Sequence, residues 1–118
     1  FAYELERRLR ASESTTIAVA CHPGIAATEL GRHMPKIVML AAPLFRVFFN
    51  SPAEGAWPTL MAASSEDIEG GDYIGPSKRG ETAGPARTVS SAGRSHDAQL
   101  ATQLWDLSVE MTGVDPGL

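Results

Sequence analysis

One short apolar run most constrains the fold of this chain. The residues from Thr16 to Cys21 (TIAVAC) are continuously apolar or β-branched, and His22-Pro23-Gly24 ends the run abruptly. Continuous runs of this length are typical of strands that are buried on both faces of a parallel sheet. A helical pattern and a polar turn precede the run, so the order predicts the second half of a βαβ unit.

The helical pattern starts at the first residue. Apolar residues recur every four positions from Phe1, and the pairs Glu4–Arg8 and Glu6–Arg10 have favourable i,i+4 spacing. We interpret the alternating charges as a solvated helix face. A helix that begins without an N-cap leaves its first N–H groups unsatisfied, so we expect the natural chain to begin further upstream.

A capping box predicts the next helix, over 51–65. Ser51 is at the N-cap position, Pro52 is at the first helical position and Glu54 is at the third. Pro58 is expected either to kink this helix or to lie in its first turn.

The remaining chain is predicted to hold one strand, one loop and one helix. The strand lies in 70–77, the glycine- and serine-rich loop spans 76–95, and the final helix covers 97–112 with Gly113 at its C-cap. One stripe of the final helix is apolar: Leu100, Leu104, Leu107 and Met111. Two strands do not make a stable sheet, so residues 1–118 are expected to be part of one larger α/β domain.

Composition excludes several classes of protein. The 118 residues are 43% hydrophobic and 20% charged, which is typical of a globular domain. A net charge of −4 without a basic stripe argues against nucleic acid as a partner. The single Cys21 and the lack of a signal peptide favour a cytoplasmic location. The apolar segment 34–49 is shorter than the ~20 residues of a membrane span.

The end of the predicted strand is the candidate ligand site. Ligands of open parallel sheets bind beyond the carboxyl ends of the strands. Pro23 removes a backbone donor, Gly24 permits close approach of a ligand, and the main chain of Ile25 is expected to be free for a flat polar group such as a carboxamide. Thr28 adds a hydroxyl. An ordinary Pro-Gly turn remains the alternative.

Four segments together resemble a known family. They are "FAYELERRL", "IAVACHPGIAATEL", "SPAEGAWPTLMAASSEDIEGGDYIGP" and "ATQLWDLSVEMTGV". Their order resembles the C-terminal part of a short-chain dehydrogenase/reductase, nearest to the branch with retinol-dehydrogenase-like enzymes and related bacterial oxidoreductases. The resemblance implies the C-terminal portion of a Rossmann-type doubly wound parallel sheet, of which this chain is expected to hold only two strands.

The resemblance also implies a cofactor, NAD or NADP, in the complete protein. It places Pro23, Gly24 and Ile25 beside the nicotinamide, with Thr28 bonding the cofactor, and makes 30–50 a lid over the substrate. Lid residues that would suit a small apolar alcohol or carbonyl substrate are Met34, Met39, Phe45 and Phe49. Core packing is the alternative role for these side chains.

The catalytic motifs of that family do not occur in this sequence. The glycine-rich fingerprint is absent, and neither Tyr3 nor Tyr73 begins a Tyr-x-x-x-Lys motif, which the resemblance places upstream of Phe1. The chain alone is therefore expected to be inactive without a missing N-terminal portion. No spacing of His22, His33 and His96 suits a metal site, so none is predicted.

Two functions remain open from the sequence. One is a part of an NAD(P)-dependent oxidoreductase that transfers hydride between a nicotinamide and an alcohol or carbonyl, with a homo-oligomer plausible from the family. The other is a non-catalytic remnant or interaction module without cofactor affinity, docking through the apolar helices 34–63 and 97–112.

Overall fold

The computed structural model describes residues 1–25 and 49–118. Within them lie helices α1 (Ala2–Ala11), α2 (Pro52–Gly55), α3 (Trp57–Ser64) and α4 (Ala98–Thr112), a 3-10 helix (Gly93–His96), and strands β1 (Ala20–Cys21), β2 (Tyr73–Lys78) and β3 (Ala83–Thr88). The described residues divide into two compact units. The first comprises Phe1–Ala20, Ile68–Tyr73 and Ser90–Leu118, and the second comprises the described residues of Cys21–Asp67 together with Ile74–Val89.

The described strands form one mixed sheet in the order β1-β2-β3. The N–H of Ala20 donates to the carbonyl of Asp72, and that of His22 donates to the carbonyl of Ile74. Donor and acceptor positions rise together along the chain, so β1 runs parallel to β2. β2 and β3 pair antiparallel, with Ile74 opposite Thr88. The chain is therefore α/β, as predicted.

Two sequence predictions about the sheet are wrong. The segment 76–95 is not wholly a loop, because Ala83–Thr88 pairs with β2 as a third strand among the described residues. The glycine and proline of this segment led to the prediction of a loop, although both residues are tolerated in a strand at the edge of a sheet. The predicted strand 16–21 shrinks to Ala20–Cys21.

The shortening of β1 has a local cause in the first unit. The N–H of Ala18 donates to the carboxylate of Glu6 at 2.7 Å, and the carbonyl of Ala18 accepts from the N–H of Gly71 at 2.8 Å. The amide of Ala18 is thus bonded to a side chain of α1 rather than to a neighbouring strand.

The acidic side chains of α1 are buried rather than solvated, which corrects that part of the sequence interpretation. Glu4 is only 2% exposed and accepts hydrogen bonds from the guanidinium groups of Arg7 and Arg8. The hydrogen bond from Arg7 is the main reason why the pKa of Glu4 falls to about 2. The predicted ion pairs Glu4–Arg8 and Glu6–Arg10 are both present.

Glu6 is the second buried carboxylate of α1. The N–H of Ala18 and, next in importance, the guanidinium of Arg10 lower its pKa from the ordinary value. Both carboxylates are thus buried with hydrogen-bond partners, whereas the side chains of Arg7 and Arg10 remain exposed.

Helices α1 and α4 pack through aromatic contacts. Trp105 is 3% exposed; its ring stacks on that of Phe1, with centroids 5.0 Å apart, and the guanidinium carbon of Arg8 lies 4.5 Å from its ring centre. The apolar stripe Leu100, Leu104, Leu107 and Met111 is instead solvent-exposed in the described chain.

The second unit contains the predicted capping box. The hydroxyl of Ser51 accepts from the N–H of Glu54, and the carboxylate of Glu54 accepts from the N–H of Ser51, which is the main reason why the pKa of Glu54 is lowered. The predicted single helix is two helices, since α2 ends at Gly55 and α3 begins at Trp57 with Pro58 in its first turn. Ile74 of β2 is fully buried in this unit.

Candidate functional site

The candidate site begins where β1 ends. The N–H of His22 donates to the carbonyl of Ile74 at 2.9 Å, and the next residue is Pro23, which has no N–H. The ladder therefore stops at this point, and residues 23–25 leave the carboxyl end of a strand that is parallel to its neighbour. This is the position at which open α/β sheets bind ligands.

Gly24 turns the chain with a left-handed backbone. Its φ is +69°, and a Cβ on it would lie 2.5 Å from the carbonyl oxygen of Thr82 and 2.7 Å from Cγ of Pro76. A larger residue would be strained by φ and would also collide with this neighbouring main chain. The glycine is thus required by the chain itself.

The expectation that both main-chain groups of Ile25 are free is wrong. Its N–H donates to the carbonyl of Thr82 at 2.8 Å, and its carbonyl accepts from the N–H of Asn50 at 2.9 Å. Thr82 belongs to the β2–β3 connection, which the sequence analysis assigned to a loop. A carbonyl oxygen has two lone pairs, so that of Ile25 retains one acceptor position, whereas its N–H retains no donor position.

The outer surface of this turn is apolar. Pro23 is exposed, and the side chain of Ile25 is 48% exposed. An exposed proline ring next to an exposed branched aliphatic side chain presents the surface on which a flat heteroaromatic ring packs. The family resemblance implies a nicotinamide at this turn. The exposed apolar surface and the remaining lone pair of the Ile25 carbonyl fit that group, whereas the N–H of Ile25 is already bonded and does not.

His22 has polar neighbours on both sides. Its Nδ1 accepts from the N–H of Gly24 at 3.3 Å, and its Nε2 lies 3.4 Å from a carboxylate oxygen of Glu81. Its predecessor Cys21 is exposed, with the thiol 3.5 Å from the hydroxyl of Thr59. Cys21 and His22 thus contact different partners, as expected for successive residues at the end of a strand, whose side chains face opposite sides.

Asn50 is a site residue that sequence reasoning missed. It is 3% exposed, and its side chain contacts Pro23 and Gly84 while its backbone contacts Ile25. The signal in the sequence is a polar amide side chain that stands between the apolar segment 34–49 and the capping box at Ser51. Its contact with Pro23 could not be predicted from this position.

The other predicted site residues have different outcomes. Phe49 is half-buried beside Asn50. Four predicted site residues lie outside the described residues: Thr28, Met34, Met39 and Phe45. No group of three side chains suited to hold a metal occurs within 1–25 and 49–118. In the same ranges, no helix has the length and apolar character that a membrane crossing requires.

Comparison with known proteins gives consistent matches. The chain is 40% identical over 121 residues to retinol dehydrogenase 14 of Mus musculus, covering 97% of this chain and 32% of that protein. It is 33% identical over 117 residues to polyprenol dehydrogenase of Homo sapiens, covering 97% of this chain and 33% of that protein. The chain thus spans about a third of the length of these relatives. No protein-family model matches it.

A fungal relative and a solved structure extend these matches. Short chain dehydrogenase/reductase dpmpH of Macrophomina phaseolina is 33% identical over 105 residues, covering 89% of this chain and 50% of that protein. The crystal structure of an uncharacterized protein from Mycobacterium paratuberculosis has a TM-score of 0.69 and 32% identity, covering 99% of this chain and 36% of that one. The predicted fold class, part of a Rossmann-type α/β domain, is confirmed.

Proposed function

We propose that this chain, which belongs to the short-chain dehydrogenase/reductase family, forms the nicotinamide-side wall and the substrate lid of an NAD(P)-dependent oxidoreductase. The observation that carries the proposal is the exposed apolar turn Pro23-Gly24-Ile25 at the carboxyl end of β1. The family resemblance inferred from the sequence is confirmed by the relatives described above.

In this proposal the chain supplies binding surface. Pro23 and the exposed side chain of Ile25 pack against the nicotinamide ring, and the remaining lone pair of the Ile25 carbonyl accepts from its carboxamide. Gly24 allows the turn that brings these groups to one side. When bound, the cofactor supplies hydride transfer to or from an alcohol or carbonyl carbon.

The substrate side is assigned to the proposed lid, 30–50. We propose that its bulky apolar residues exclude water and favour a small apolar alcohol or carbonyl, with Thr28 bonding the cofactor. The lid residues in this proposal are Met34, Met39, Phe45 and Phe49. No acid–base step is assigned to this chain, because its sequence contains no Tyr-x-x-x-Lys motif. The homo-oligomer and the cytoplasmic location remain predictions.

A chimera tests the proposal. Residues 1–118 replace the matching third of mouse retinol dehydrogenase 14, and the dissociation constants of NADH and NADPH are measured by titration calorimetry. Ile25→Asp places a carboxylate on the proposed contact surface and should weaken binding of the preferred dinucleotide at least about tenfold, equivalent to ~1.4 kcal/mol.

A β-branched residue in the C-terminal tail provides the control. Val114 is 64% exposed and follows Gly113, the C-cap of α4, so Val114→Asp places the same charge on an accessible side chain in the other unit. We expect the Val114→Asp chimera to bind like the parent. Equal affinities of both variants and the parent would contradict the proposed wall.

The exposed stripe of α4 favours a second candidate, a helix-mediated interaction module. Met111 is 78% exposed and Leu104 is 46% exposed in the described chain. Apolar stripes of this kind mark interaction surfaces when they are contiguous. A chimera without dinucleotide affinity, together with self-association of the 118-residue chain that Leu104→Glu abolishes, would favour this candidate over the oxidoreductase.

A further inference from the structure

The strongest unassigned feature of the second unit is the buried side chain of Asn50. Asparagine is seldom fully buried, and a buried amide requires hydrogen-bond partners to offset the loss of water. Asn50 is 3% exposed, and it lies directly before Ser51, the N-cap of α2. The hydrogen-bond partners of its side chain therefore indicate which segments Asn50 holds together.

Those partners belong to two separate segments. The side-chain nitrogen Nδ2 donates to the carbonyl of Pro23 at 3.3 Å, and the side-chain oxygen Oδ1 accepts from the N–H of Gly84 at 2.9 Å. The backbone N–H of Asn50 donates to the carbonyl of Ile25 at 2.9 Å. Asn50 thus holds two carbonyls of the turn and, through Gly84, the start of β3.

The two carbonyls flank the residue with the unusual backbone. Pro23 precedes and Ile25 follows Gly24, whose φ of +69° lies in a region that glycine enters easily and also leaves easily. The bond to the carbonyl of Pro23 sets the direction of the peptide plane before Gly24, and the bond to the carbonyl of Ile25 sets the plane after Ile25. The exposed faces of Pro23 and Ile25 are then presented in one orientation.

We propose that Asn50 is the positioning residue of the nicotinamide-side wall: it orients Pro23 and Ile25 for the cofactor without touching it. This inference rests on the proposed function. Only a side chain with both a donor and an acceptor at this reach meets the requirement. A carboxylate at this position could accept from Gly84 but would repel the carbonyl of Pro23.

The test uses the chimera that carries the full 118-residue chain. Asn50→Asp removes the donor and keeps the acceptor, whereas Asn50→Ser keeps both functions on a side chain too short to span Pro23 and Gly84. Ser51→Ala is the matched control, because it removes the adjacent cap of α2 and no contact with the turn. Each variant is assayed for the dinucleotide KM and kcat, and its melting temperature is recorded.

The two Asn50 variants should raise the dinucleotide KM about tenfold and leave kcat within about twofold, because the wall contact that they weaken is made equally in the ground state and in the transition state. The Ser51→Ala chimera should melt at a lower temperature with an unchanged dinucleotide KM. If Asn50→Asp does not fold, the dinucleotide KM of Asn50→Ser tests the positioning role.

Two further outcomes separate the inference from the proposed function. An unchanged dinucleotide KM in the Asn50 variants of an active parent would overturn the positioning role alone. An equal rise in the Ser51→Ala control would also overturn it, since loss of stability would then explain the effect. A parent chimera that binds neither NADH nor NADPH would overturn the proposed function, and the positioning role with it.

Discussion

The carbonyl of Thr82 accepts a hydrogen bond from the N–H of Ile25, with a nitrogen–oxygen distance of 2.8 Å. This bond joins the β2–β3 connection to the turn at the end of β1. It also passes close to Gly24, where the same carbonyl would lie 2.5 Å from an added Cβ. The connection between the two strands therefore determines which residues the turn accepts.

Replacing Gly24 should destabilise the second unit more than replacing a glycine of similar backbone geometry. Gly80 has a φ of +63° with nothing within 4 Å of an added Cβ, whereas Gly24 has a φ of +69° with close main-chain neighbours. Gly80→Ala should cost about 1–2 kcal/mol from backbone strain alone, and Gly24→Ala at least ~1 kcal/mol more. Urea unfolding measures both, and equal losses would exclude the steric contribution.

Trp105 should carry much of the stability of the first unit. Its ring is buried against Phe1 and Arg8, so Trp105→Ala removes a large apolar contact and is expected to lower the free energy of unfolding by about 3–5 kcal/mol. The neighbouring Leu104 is 46% exposed, and Leu104→Ala should cost less than ~1 kcal/mol. Similar losses in the two variants would argue against the observed packing of α1 on α4.

The free energy of unfolding should depend on pH in the acid range because of Glu4. Its pKa is about 2 in the folded chain against an ordinary 4.5, so the unfolded state binds more protons between these pH values. The contribution of the ionised carboxylate is fully present above about pH 4.5 and is lost as the pH falls towards 2. Glu4→Gln removes this titration.

Denaturant unfolding across this acid range checks the expectation. The difference in the free energy of unfolding between the parent and Glu4→Gln should be largest above about pH 4.5 and should shrink as the pH approaches 2. A difference that stays constant through the whole range would show that the paired carboxylate of Glu4 does not have the lowered pKa.

Elements specified by local chemistry could be predicted from the sequence. The side chain of Asp97 accepts from the N–H of Leu100 at 3.0 Å, and Gly113 ends α4 with a φ of 68°. The capping box of Ser51 and Glu54 likewise involves residues three positions apart. In each case the partners are close in sequence, so their spacing predicts the structure.

Features that depend on distant partners could not be predicted. The pairing of β3 with β2, the burial of Glu6 against Ala18, and the contact of Asn50 with Gly84 all join residues far apart along the chain. The end of β1 at Cys21 could be predicted from the sequence, but the hydrogen bonds of the Ile25 main chain could not. Only the fold identifies its partner Thr82.

The 118-residue chain by itself should bind dinucleotides weakly. Its sequence contains no glycine-rich fingerprint, which in dinucleotide-binding folds holds the pyrophosphate at a helix N-terminus. Titration calorimetry with NADH and NADPH should therefore detect no binding at about micromolar affinity. Micromolar binding to the isolated chain would mean that residues 1–118 hold a dinucleotide site that the family resemblance does not explain.

If this chain builds one wall of a hydride-transfer site, its chimera with mouse retinol dehydrogenase 14 should be an active enzyme. The absorbance of reduced nicotinamide is followed with retinol as substrate, using NAD and NADP in separate assays. We expect turnover in the parent chimera and a raised dinucleotide KM in Ile25→Asp, with the dinucleotide KM of Val114→Asp unchanged. A folded chimera that shows no turnover with either cofactor would contradict the claim.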